Sequence, residues 1–198
     1  MKTAVVTDSN SGISRDLAER WGVHVVPMPV IIDNEIFYEG VNIFPEQFYQ
    51  FQREGRSVSS SQPSPDDVTT MWDNVLASGY DELIYIPMTS GLSGSCQTAL
   101  ALASGYGGRV RVADNHQISV PQKNAVRDAA ALVRRGLRAE EIQERLEAAG
   151  GDTLIYIGVD TLEYLKKGGR ITPAVAAMGT VLGIKPLLVI RGEKLDTF

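Results

Sequence analysis

The 198-residue chain holds one cysteine, Cys96, and two histidines, His24 and His116. A lone thiol excludes an intramolecular disulfide, and with two imidazoles it cannot supply a Cys-rich zinc set. Positive charge is also short. Nineteen Lys and Arg face twenty-four Asp and Glu, a formal net charge of −5 that argues against the basic surface of a nucleic-acid binder. Long apolar runs are missing too. The most apolar stretch, VHVVPMPVII at 23–32, contains two prolines, and it falls far short of the roughly 20 residues a membrane helix needs. The N-terminus, MKTAVVTDSN, enters a strand pattern at once and lacks the features of a signal peptide. A cytoplasmic protein without stable membrane insertion is expected. Neither a Gly-x-x-x-x-Gly-Lys phosphate loop nor a Gly-x-Gly-x-x-Gly after a strand occurs, and no cofactor or metal is expected.

What is present reads as an ordinary globular composition, 43% hydrophobic and 22% charged, long enough for one full α/β core and part of a second lobe. Apolar β-rich runs fall at 3–7, 23–28, 82–88, 109–114, 153–158 and 185–190. Between them, Val68, Met71, Trp72, Val75 and Leu76 share one helical face, as do Val126, Ala129, Ala130 and Val133, and Ile142, Leu146 and Ala149. Ser64-Pro65-Asp66-Asp67 reads as a helix start, and Gly22, Gly79 and Gly136 stand where helices should stop. This alternation predicts a three-layer α/β/α fold with a mostly parallel sheet. VIIDNEIFYEG (30–40) predicts an inserted hairpin turning at Asp33-Asn34. The spacing changes near residue 150, so the expectation is an N-terminal α/β lobe over 1–150 and an incomplete second α/β lobe over 151–198. That second part is expected to hold two short helices and one last strand.

In an open α/β sheet, ligands gather at the carboxyl ends of the strands. Polar clusters fall there at TDSNSG (7–12), SVSSSQPSP (57–65), TSGLSGS (89–95) and ADNHQIS (113–119). Ser93 is placed to cap a helix that begins near Gly94, beside first-turn N–H groups that suit an anion. Gly91 and Gly94 allow a close approach of backbone to ligand. Three readings stand at this point: a plain capping serine, a carboxylate or phosphate holder, and a nucleophile. The third would pair Ser93 with His116 and Asp114, but Ser95 occupies the second glycine of a Gly-x-Ser-x-Gly elbow and the chain order differs from an α/β-hydrolase. A domain that binds no ligand and serves as an interaction module is a further alternative. KKGGR (166–170) reads as a helix end, or as a surface loop able to dock a partner.

Taken in order, TDSNSGI, SSSQPSP, TSGLSGS, LEYLKKGGRI and LGIKPLL resemble the DegV family over the whole chain. These are bacterial fatty-acid-binding proteins that include the acyl-carrying subunits of fatty acid kinase. The resemblance implies an acyl tail in an apolar tunnel between two lobes. It also implies a carboxylate held by the hydroxyls of Ser60, with Ser61 beside it, and of Ser93. Ser90, Gly94, Asp8 and Ser9 are expected to support that site, and Lys166, Lys167 and Arg170 to face a partner. The implied partners are a long-chain fatty acid and a separate kinase that converts the bound acid to an acyl phosphate for phospholipid synthesis; the carrier itself does no chemistry. Relatives run beyond Phe198, which gives the expectation of a fragment or of a tunnel open on one side. Asn115, Pro121 and Lys123 stand where the family usually shows a serine and glycines, altering the loop beside the ligand.

Overall fold

The structure is a computed structural model of the chain, in which residues 1–171, 175, 185–191 and 194–197 are described. The first elements are β1 (Thr3–Asp8), α1 (Arg15–Trp21), β2 (Val23–Val26), β3 (Pro29–Ile32), β4 (Glu35–Tyr38) and α2 (Pro45–Arg53). There follow β5 (Val58–Ser60), α3 (Pro65–Ala77), β6 (Glu82–Ile86), α4 (Ser95–Ala103), β7 (Val110–Val112), α5 (Ser119–Arg134) and α6 (Ala139–Gly150). The last described are β8 (Leu154–Gly158), α7 (Glu163–Lys167), β9 (Leu187–Arg191) and β10 (Lys194–Thr197).

A parallel sheet in the order β2-β1-β6-β7 forms the centre. Its strands read as continuous apolar runs because helices cover both faces. Side chains alternate across the pleat, so Val5, Ile84 and Ile86 pack under α1, α5 and α6, while Ala4, Val6, Leu83 and Tyr85 pack under α3 and α4. Trp72 of α3 is fully buried and meets Tyr85 and Tyr106 edge to face, each with centroids 5.5 Å apart. The three-layer expectation is met.

The predicted boundaries hold where the chemistry is local. Ser64 accepts the Asp67 N–H while Asp67 accepts the Ser64 N–H, a reciprocal cap with Pro65 opening α3. Asp33 and Asn34 both have positive φ, 48° and 70°, the turn that a two-residue hairpin favours. The hairpin does not join the parallel sheet. With β5 it builds a separate antiparallel sheet ordered β4-β3-β5, in which Ser60 pairs with Val30.

Beyond residue 150 an antiparallel sheet ordered β10-β9-β8 turns one face inward. Ile155, Leu188, Ile190 and Leu195 join Leu162 and Val175 in an apolar cluster with Met28, Met88 and Ile118 of the first part, and Leu92 packs against it. β9 is not the last strand, since β10 folds back on it. Of the two short helices expected here, α7 is present; the second, together with the start of LGIKPLL, lies outside the described residues.

One close approach packs the end of α6 onto the segment after β7. Gly150 ends α6 against the Asn115 backbone so tightly that a Cβ there would overlap the Asn115 carbonyl. Gly150→Ala is therefore expected to destabilise the fold by roughly 1–3 kcal/mol, as overpacking does. Urea unfolding checks this, and a variant as stable as the parent would show that the approach is loose.

Candidate functional site

The loops after β1, β6 and β7 meet at the carboxyl end of the parallel sheet. Asp8, the last residue of β1, is fully buried. Its Oδ2 accepts the Met88 N–H at 2.8 Å, and its Oδ1 accepts the Asn10 N–H at 3.1 Å and Gln122 Nε2 at 3.0 Å. Burial pushes this carboxyl up to about 6, against the pull of those three hydrogen bonds. At neutral pH it remains a carboxylate that accepts from three donors. Its neighbour Ser9 accepts the Met28 N–H and donates to Glu39 at 2.6 Å, tying the first loop to the hairpin.

The loop that follows β6 is pinned along its backbone. After Met88, the Thr89 N–H donates to the Gln117 carbonyl at 2.9 Å and the Ser90 N–H to Asp114 at 3.4 Å. A turn from Thr89 to Leu92 then delivers Ser93 to the start of α4. Ser93 is not itself the cap residue. Gly94 holds that position, and Ser93 Oγ accepts the Ser95 N–H at 3.2 Å. With a lone pair taken by that N–H, the Ser93 hydroxyl keeps its proton to donate to an incoming acceptor.

The second serine segment lies alongside. Gln62 Nε2 donates to Thr98 Oγ1 on α4 at 3.2 Å, and Gln62 Oε1 lies against Gly94. This bond sets the end of β5, with Ser60 and Ser61, next to the Ser93 loop. Both serines are exposed. Ser61 donates to the Gln62 carbonyl at 3.0 Å, whereas the Ser60 hydroxyl makes no hydrogen bond among the described residues.

Arg170 completes the cluster. It is half-buried, its Nε donates to the Leu92 carbonyl at 3.4 Å, and its Nη1 donates to the Gly168 carbonyl at 2.7 Å. Grouping it with Lys166 and Lys167 as one docking face does not fit this geometry. Lys166 and Lys167 are exposed, and Lys167 pairs with Glu163 at 2.7 Å along α7. The signal in the sequence was the glycine pair 168–169, which breaks the helix and lets the next basic residue turn inward; Gly169 has φ 69°.

Among the described residues no hydrogen bond joins Ser93 to His24 or His116. His116 Nδ1 lies 3.7 Å from Asp114, and His24 meets Tyr80 edge to face in β2, where burial pushes its imidazole down. Burial pushes the Cys96 thiol up to about 12, with the charge of Asp114 adding to the rise, so it is a packing group and not a nucleophile. Among the described residues no group of His, Cys, Asp and Glu is arranged to hold a metal, and no helix is long and apolar enough to cross a membrane.

A separate groove of about 1070 Å³ runs along the outer edge of β2, between α1, α2 and the hairpin, lined by Val25, Ile43, Phe44, Phe48 and Tyr80. Ser9 reaches its rim, but Ser60, Ser61 and Ser93 do not line it.

An open parallel sheet with donors at its strand ends, faced by a small antiparallel sheet across an apolar cluster, defines an α/β protein. The chain belongs to the DegV family, whose profile, described as an uncharacterised protein family, matches residues 2–198. A DegV domain-containing protein of Deinococcus radiodurans is 35% identical over 197 residues, which cover 99% of this chain and 70% of that protein. Among solved structures, a fatty-acid-binding DegV family protein from Thermus thermophilus superposes with a TM-score of 0.89 at 34% identity, over 100% of this chain and 71% of that one. DegV from Bacillus subtilis, a fatty acid binding protein, gives 0.86 at 29% identity, over 100% and 71%. A stearic acid-binding protein from Eubacterium ventriosum gives 0.88 at 25% identity, over 99% and 69%.

Proposed function

We propose that this chain binds a long-chain fatty acid, with its carboxylate gripped by the hydroxyls of Ser60, Ser61 and Ser93 and by the Arg170 guanidinium. The observation that carries the reading is the convergence of Arg170 and the β5 end on one loop. Arg170 reaches the Leu92 carbonyl and Gln62 reaches Thr98, so both flank Ser93. The site offers donors and a cation, and among the described residues no base is hydrogen-bonded to the Ser93 hydroxyl, which suits holding an acid better than attacking an ester. Ser90 and Gly94 shape the loop, and Asp8 and Ser9 brace it from below.

The tail enters the apolar cluster that Met28, Met88 and Ile118 share with the C-terminal sheet. Burial is worth about 0.8 kcal/mol per methylene, so an eighteen-carbon chain gains on the order of 10 kcal/mol, while each charge-assisted hydrogen bond adds about 1.5–3 kcal/mol. Affinity comes from the tail and orientation from the head. The carrier needs no cofactor and acts in the cytoplasm, presenting the acid to a separate kinase for acyl-phosphate formation. Lys166 and Lys167, exposed beside the site, are the partner-facing charges. Reversing both to Glu is expected to lower kinase turnover and leave lipid binding unchanged; unaltered turnover removes them from that role.

Native mass spectrometry of protein purified from bacteria tests the reading. A co-purifying mass equal to a long-chain fatty acid supports it. Ligand-free protein that also fails to take up added stearate overturns it.

A further inference from the structure

We propose that Asp8 is a positioning residue whose carboxylate fixes the Ser93 loop for gripping the ligand's acid group. The inference rests on the fatty-acid reading above and assigns Asp8 an indirect part in it. Asp8 is fully buried, so it touches no ligand. Its reach is through the backbone. The bond from the Met88 N–H anchors the first residue of the loop, five positions before Ser93, and Met88 itself packs in the apolar cluster that would take the tail. The bond from Gln122, which also donates to Thr7 Oγ1 and the Ile86 carbonyl, fixes the first turns of α5 against the same strand ends. The Asn10 side chain extends the brace by accepting the Ser119 N–H at 3.2 Å. One side chain thus ties together the segment that follows β1, the start of α5 and the loop that carries Ser93.

All three partners of Asp8 are N–H donors, so the site demands acceptors on both oxygens. A neutral amide of the same shape cannot meet that demand. Turned either way, its NH₂ faces an N–H: Met88 in one orientation, Asn10 and Gln122 in the other. An unmade bond to a buried group is the costly case. Asp8→Asn therefore changes no volume and yet frees one end of the loop.

A defect in loop position would weaken the grip on the head and leave the tail's burial alone. We expect Asp8→Asn to lower the affinity for stearate about tenfold, with the affinity for 1-octadecanol, which has the same tail and no carboxylate, within about twofold of the parent. Equal losses for both ligands, or none for stearate, overturn the proposal. Amide exchange in the ligand-free parent protein is the second measurement, and it decides the matter if the variant does not fold. The Met88 amide should exchange far more slowly than those of Gly91 and Gly94; comparable rates would show that no brace exists. If the parent protein binds no stearate, the fatty-acid reading fails on its own, and the exchange of Met88 still decides whether Asp8 holds this loop.

Discussion

Arg170→Met should weaken stearate binding roughly 30- to 150-fold, the equivalent of about 2–3 kcal/mol. The guanidinium is half-buried and spends two donors on the Leu92 and Gly168 carbonyls, the first of them next to Ser93 in the chain. Methionine keeps the apolar stem and removes the charge, so the loss reads on the carboxylate and not on packing. Binding of 1-octadecanol should stay close to that of the parent. Arg170→Lys should recover part of the affinity, because a point charge replaces a planar fork with several donors. Stearate affinity within twofold of the parent in Arg170→Met would mean that the acid group sits elsewhere.

The second large effect is expected at Ser93. Alanine there removes one charge-assisted hydrogen bond and should reduce stearate affinity about 10- to 100-fold. Kinase-dependent acyl-phosphate formation should fall in parallel when the acid is limiting. Folding should change little, since the Oγ accepts only the Ser95 N–H and Gly94 already occupies the cap position; loss of such a contact costs about 1 kcal/mol. A thermal melt beside the binding curve separates the two effects. Covalent labelling of the parent's Ser93 by a fluorophosphonate would contradict the account, because it would mark the hydroxyl as a nucleophile and not a holder.

Much of the fold was legible because its signals are local. The apolar runs at 3–7, 23–28 and 82–88 became β1, β2 and β6, and the Trp72 face became the inner side of α3. β5 was harder to see. Val58–Ser60 is a short strand made largely of serine, with β-propensity too weak to compete with a loop assignment; its pairing to β3 is a tertiary choice. β10 was hidden for the same reason, as LDT carries no apolar run and its place is set by pairing with β9.

The site was legible in part. The serine segments stood out as hydroxyl clusters at strand ends. Arg170 did not, because in sequence it continues the charges of Lys166 and Lys167, and only the turn through Gly168-Gly169 sends it back to Leu92. Asp8 was expected to support the site, but the means of that support was not visible. Of its three N–H partners only Asn10 is local; Met88 and Gln122 lie at distances along the chain that no local pattern spans.

The central claim is that alcohols and a guanidinium clasp the acid end of a lipid whose tail lies under the C-terminal sheet. A crystal structure of this protein with stearate tests it most directly. The account predicts carboxylate oxygens about 2.7–3.2 Å from the Ser93 hydroxyl and from Ser60 or Arg170, with the chain running among Met28, Met88 and Ile118. A carboxylate bound in the groove along β2, out of reach of Ser93, would contradict it.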